Sequence, residues 1–184
     1  MRKLLLVLAA LAVAAPVVAE TLAGVTLPDS ISVAGHTLAL NGMGVRTKVV
    51  FKVYVAGLYL EKKTSNAAEV IQADAPKRLV LQFVRNVDRG QITEALDESV
   101  RNNAATQAAA LKAEVAQFLG ALEPFKSGEQ LVVTYVPGTG TTVTVRGVDK
   151  VTIPGPPFGQ LVFSMWLGPK PPSGDLKKGL LGIR

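Results

Sequence analysis

The sequence predicts an α+β fold, in which an antiparallel sheet carries its helices on one face. Three observations lead there. Strand-like runs occupy the first part of the chain, a long helical block spans 88–122, and a hairpin with one more strand precedes the last helices. The runs at Leu131–Val136 and Thr141–Val145 alternate β-branched residues around a Gly/Pro turn, as hairpin strands do. Strands and helices grouped in this way suit a sheet with helices gathered to one side.

Met1-Arg2-Lys3, the apolar run Leu4–Ala15 and the small or β-branched Val17 and Ala19 form a secretory signal peptide over residues 1–19, cleaved after Ala19. A membrane-spanning anchor needs about 20 apolar residues, and this run breaks at Pro16. Removing 19 of 184 residues leaves a mature chain of 165, residues 20–184, which suits a single domain with room for a core and a cavity. No cysteine is present. An exported protein without disulfides depends on its core alone, which fits a periplasmic location, and no cysteine is available for a lipid anchor. Losing Arg2 and Lys3 lowers the net charge from +6 to +4, and the remaining basic residues are scattered in short pairs. Such a pattern makes a solvated surface, whereas nucleic-acid binding wants a basic stripe with interleaved aromatics.

Val25–Val33 reads as an irregular segment leading into a short strand, Ala34-Gly35-His36 as a turn, and Thr37–Leu40 as a second strand. The run from Asn41 to Glu61 is apolar and rich in β-branched residues, so it reads as strand. If it is unbroken, Arg46 and Tyr54 share a face, being an even number of residues apart. Gly42 and Gly44 would permit a bend or bulge that aims Arg46. They are no dinucleotide fingerprint, because Thr47 stands where the third glycine belongs and no helix follows. A short helix is expected within 62–75, capped by Ser65 or Asn66 and stopped by Pro76. Lys77–Val87 returns to strand. Asp88 and Gln91 have capping-box spacing, and Ile92, Leu96, Ser99, Val100 and Asn103 then line one helix face. The pattern lapses at Asn102-Asn103 and resumes from Leu111, which predicts two successive helices. After the hairpin, Gly147–Lys150 is expected to turn into a strand at Val151–Ile153. Phe158–Leu167 is apolar on several sides, as a buried helix would be, and Ser173 caps a short terminal helix.

Catalytic inventories are sparse. Without cysteine and with His36 as the single histidine, zinc sites, Cys/His nucleophiles and Ser-His-Asp triads lack their parts. His36 beside a turn glycine reads as a surface residue, and Glu94, Asp97 and Glu98 read as the solvated side of a helix. No metal or cofactor is expected. What remains is Arg46 with Tyr54 in an apolar setting. An arginine fork matches a carboxylate in two parallel hydrogen bonds, and a tyrosine hydroxyl adds a third bond without adding charge. A buried guanidinium without an acidic partner calls for an anionic ligand. Equally, Arg46 could pair with an internal carboxylate or point to solvent.

Gly42-Met43-Gly44-Val45-Arg46, followed by Phe51–Tyr54 and Gly57-Leu58-Tyr59-Leu60-Glu61, resembles the chalcone isomerase signature. Trp166-Leu167-Gly168 and Asp175–Gly182 resemble that family's C-terminal helices, so the likeness spans nearly the whole mature chain and is nearest to the exported bacterial branch. The resemblance implies an open-faced β-sandwich, a large antiparallel sheet covered by a layer of helices with a ligand cleft between them. In the true isomerases of the family an arginine stabilises enolate charge while a phenolate closes on an enone, and Arg46 matches that arginine. The neighbouring threonine falls on Tyr54, the Tyr/Asn pair falls within Gln91–Ser99, which holds neither type, and the last Thr/Ser falls on Ser164 or Met165. Fatty-acid-binding members instead grip a carboxylate with an arginine and a tyrosine. The resemblance therefore implies a periplasmic, non-catalytic binder of a fatty acid or similar apolar carboxylate, held by Arg46 and Tyr54. The alternatives are an isomerase of chalcone-like enones with Arg46 as electrophile, and an interaction protein whose cleft is filled. Oligomeric state stays open.

Overall fold

The computed structural model describes residues 19–183, so all of the expected signal peptide except Ala19 lies outside the described residues. Nine strands and five helices follow in order: β1 Ala19–Leu22, β2 Val25–Pro28, β3 Ser30–Val33, β4 His36–Lys48, β5 Phe51–Leu60, α1 Ala67–Gln72, β6 Lys77–Phe83, α2 Arg89–Ala110, α3 Lys112–Gly120, β7 Gln130–Val136, β8 Gly140–Val145, β9 Val148–Ile153, α4 Pro156–Leu167 and α5 Gly174–Leu180. Strands β3 to β9 form one antiparallel sheet in sequence order, and β1–β2 form a separate two-stranded ribbon. This is the expected α+β architecture.

Period-two alternation divides the sheet into two faces. Tyr54, Ala56, Leu58 and Leu60 of β5, with Leu79, Leu81 and Phe83 of β6, face the helices and form the main core with α4. Val55 and Tyr59 face the other way, where Val25 and Leu27 of the β1–β2 ribbon cover them. Beyond the ribbon that second face is polar. Arg78 Nε donates to Thr134 at 2.7 Å, Gln130 to Gln82 at 2.9 Å, and Thr142 bonds Thr152 at 2.9 Å.

Helix α4 is the centre of the core, buried from Phe158 to Phe163 except at Gln160 and throughout Ser164–Leu167, as its all-round apolar sequence requires. Helix α2 is pinned to it by the buried Ser99 hydroxyl, which donates to the Met165 carbonyl at 2.8 Å. The expected break after Asn103 is real. Ala104 leaves helical geometry at φ −144°, and the Asn103 amide bonds both backbone groups of Lys170. Asn66 caps α1 by accepting from Ala68 and Glu69, and the backbone N–H of Asp88 donates to Gln91 at 3.2 Å.

Four readings of the sequence need correction or extension. Residues 41–61 are not one strand: the chain reverses at Val49-Val50 into a two-residue hairpin with Lys48 opposite Phe51. Val49 takes φ 59° there, a left-handed conformation that costs an L-residue about 1–2 kcal/mol. No glycine, asparagine or proline marks the turn; pairing along β4 and β5 imposes it. Secondly, Gly42 and Gly44 also serve a close approach to α5, while the ladder shifts register, as an expected bulge would make it, at Leu40/Gly42 and again at Arg46/Thr47. A Cβ on Gly42 would lie 2.2 Å from the Gly179 carbonyl oxygen, and one on Gly44 2.5 Å from that of Leu176, so the two glycines let α5 lie directly on β4. Thirdly, Val25–Pro28 is itself a strand, paired with β1 across a turn in which Ala23 and Gly24 take positive φ. Finally, the turn after β8 is Arg146-Gly147, both at positive φ, so β9 already begins at Val148.

Candidate functional site

Arg46 and Tyr54 are brought together by pairing between strands, not by periodicity within one strand. They are register partners in the β4–β5 ladder, and residues directly opposite in an antiparallel pair point to the same face. That face is the helix-covered one. Tyr54 is 5% exposed, packs edge-on to Phe83 at 5.8 Å, and its hydroxyl accepts the indole N–H of Trp166 at 3.1 Å. Burial pushes its pKa up to about 12, against the opposing pull of the Trp166 hydrogen bond and the Arg46 charge. The phenol therefore stays neutral at physiological pH, with its own proton still available to an acceptor.

Arg46 is half-buried at the hairpin end of this face, and its guanidinium donates to the carbonyl of Thr47. None of the ion pairs among the described residues includes it. Most of its five donors thus remain for an anion. Behind the pair, the space between sheet and helices is filled. Ala56, Phe83 and Trp166 are completely buried, and Phe83 stacks on Phe125 at 4.2 Å.

The isomerase positions are occupied differently. Gln91–Ser99 forms the first turns of α2, and Ser99 is spent on the Met165 carbonyl. The buried Ser164 hydroxyl donates back to Leu161 within α4 at 2.6 Å. His36 lies at the surface with Nδ1 2.7 Å from Glu61, and Asp97 pairs with Arg101 on the solvent side of α2.

A fully buried cation is not visible in the sequence. Lys77, 2% exposed, donates to the carbonyls of Val70, Ile71 and Ala73 at 2.7, 3.2 and 2.9 Å. Burial lowers its pKa to about 8, with nearby Asp74 acting in the other direction. Its Nζ also lies 5.2–5.3 Å from the ring centres of Phe163 and Tyr135, and the Tyr135 hydroxyl donates to Asp74. The one sequence signal was its position, five residues after α1 ends and directly behind Pro76. A cavity of about 150 Å³ lies beside it, between Leu60, Thr64, Glu69 and Ala73. A broader groove of about 770 Å³ runs between α2 and α3, lined by Arg89, Thr93, Asp97 and Arg101. Neither opens on Arg46 or Tyr54.

This architecture, a meandering sheet with helices on one face, is that of a recognised family. Residues 19–182 match the family model described as chalcone isomerase-like, and the chain belongs to that family. No curated protein sequence matches it. Among solved structures, the crystal structure of an Arabidopsis thaliana fatty-acid binding protein is similar, with a TM-score of 0.68 at 16% identity, over 90% of this chain and 96% of that one. At that identity the likeness concerns the fold.

Proposed function

We propose that this protein binds a fatty acid or similar apolar carboxylate without catalysing its conversion, and that Arg46 and Tyr54 hold the carboxylate. One observation carries the reading: Arg46, half-buried and free of any acidic partner among the described residues, stands directly across the ladder from a neutral, buried tyrosine hydroxyl. Two guanidinium N–H groups and one phenol O–H would meet both oxygens of a carboxylate. The fatty-acid binding protein of the same fold supports the apolar character of the ligand. An acyl tail would gain about 0.8 kcal/mol for each buried CH₂, but it needs room that Phe83 and Trp166 now fill, so loading would require these side chains to move.

The filled interior favours one other reading, an interaction protein with a closed, vestigial cleft. Mass spectrometry of acyl species extracted from the purified native protein separates the two. Wild type should carry them, and Arg46→Ala should carry at least about tenfold less, since hydrogen bonds to a charged group contribute about 1.5–3 kcal/mol. Acyl species absent from both proteins, or equal in both, would discard the clamp and leave the closed cleft. Turnover of a chalcone that disappears in Arg46→Ala would instead support the isomerase alternative. The periplasmic location belongs to the same proposal and rests on the N-terminal basic and apolar segments. An intact mass of exported protein beginning at Glu20 is the expected result; a retained leader would refute it.

A further inference from the structure

The tip of the β4–β5 hairpin is unlike the rest of the surface. Val49, Val50 and Phe51 are 89, 77 and 58% exposed, three consecutive large apolar residues at a protruding two-residue turn. The turn is also strained, because Val49 adopts φ 59°, which is an outlier for a β-branched residue. A hairpin turn of this kind favours glycine at that position. The fold therefore gains nothing from a valine there, neither buried area nor backbone ease, and strain kept at an exposed position points to function. Cations stand one step behind the tip. Lys48 and Lys52 flank it, and Arg85 lies with its guanidinium 4.9 Å from the centre of the Phe51 ring. None of the three is in an ion pair among the described residues.

We infer that this tip docks the protein peripherally on an anionic lipid surface, with Val49, Val50 and Phe51 entering the interface and Lys48, Lys52 and Arg85 meeting the headgroups. The layering matches a membrane boundary, apolar groups deepest and cations at headgroup level. A protein partner fits less well: a stable interface buries on the order of 1,000 Å² or more, far more than three side chains on a narrow turn present. The inference goes beyond the carboxylate reading and stands without it, since it is scored on bound protein and not on bound acyl ligand.

The test is co-sedimentation with vesicles of phosphatidylcholine alone and of phosphatidylcholine with phosphatidylglycerol, at low and high salt. Wild type should pellet with the anionic vesicles and be released by salt. Lys48→Glu with Lys52→Glu should weaken binding at least about 25-fold, roughly fivefold for each lysine. Val50→Ser with Phe51→Ser should weaken it about tenfold or more, both positions being exposed enough to leave folding intact. Val49→Gly separates docking from stability: its Tm should rise by about 2–4 °C as strain is relieved, while vesicle affinity falls severalfold. Failure of wild type to pellet with anionic vesicles would overturn the inference. So would undiminished binding by Val50→Ser with Phe51→Ser, or self-association of wild type that these substitutions abolish, which would make a second copy the occupant.

Discussion

The two ends of the helix-covered face each bury a tyrosine beside a cation, and they treat the cation in opposite ways. At one end, Lys77 gives its three donors to three carbonyls at the close of α1 and lies against two aromatic rings. At the other, Arg46 has a single bond to Thr47 and stands opposite a phenol whose proton has no acceptor among the described residues. An ammonium has three donors and a guanidinium five, so the first cation is saturated and the second is not. Burial alone does not mark a binding residue; unspent hydrogen-bonding capacity does. Lys77 therefore supports structure by satisfying carbonyls that a helix end leaves without partners, and Arg46 is the cation whose unspent donors the proposed carboxylate would use.

That contrast can be broken by substitution, and the largest effect is expected at the saturated end. Lys77→Met should lower stability by about 3 kcal/mol in urea denaturation, because three carbonyls lose their donor, and should leave acyl content unchanged. Loss of bound acyl species with little loss of stability would reverse the roles assigned to the two ends. Tyr54→Phe should cost about 2 kcal/mol, since the buried Trp166 N–H loses its acceptor. Unlike Lys77→Met, it should also reduce acyl content, so extraction and denaturation of the same sample check both.

The pH dependence sharpens the comparison further. Folded Lys77 titrates at about 8 against its usual 10.5, so between those values the unfolded chain binds more protons than the native one. Stability should then rise with pH across that window, by on the order of 1 kcal/mol between pH 8 and 9. Tyr54, Tyr59 and Tyr135, all pushed up to about 12, oppose this from about pH 9 upward, where the unfolded chain begins to ionise first. Denaturation midpoints should climb over pH 8–9 in wild type and stay level in Lys77→Met; a level wild type would mean that the lysine is not held in its charged form at a cost. Smallest of all, Arg46→Ala should change stability by no more than about 0.5 kcal/mol, because the guanidinium satisfies little else in the fold. A larger loss by thermal denaturation would make Arg46 structural.

Much of this could be read from the chain. The helix ends were legible because their signals are local: Asn66, the Asp88–Gln91 pair and Ser173 each act within three residues. The buried α4 was legible from an apolar surround, and the break near Asn103 from lapsed periodicity. The β4–β5 turn was not, because Val49, Val50 and Phe51 are residues that strands favour and the reversal depends on which strands pair. Lys77 was hidden for a related reason. Its three acceptors are backbone carbonyls, which every residue carries and no sequence advertises.

By itself, the sequence determined the class of fold and the identity and order of most elements, and it singled out Arg46 and Tyr54 as candidates, since these follow from local chemistry, periodicity and elimination. Only the tertiary structure decided how those two residues meet, across a hairpin ladder. It alone placed Trp166 on the Tyr54 hydroxyl, from 112 residues further along the chain. It also made Gly42 and Gly44 the seat of α5. In each case the deciding quantity is a distance between groups remote in sequence, and the spacing of residues along a chain carries no measure of that.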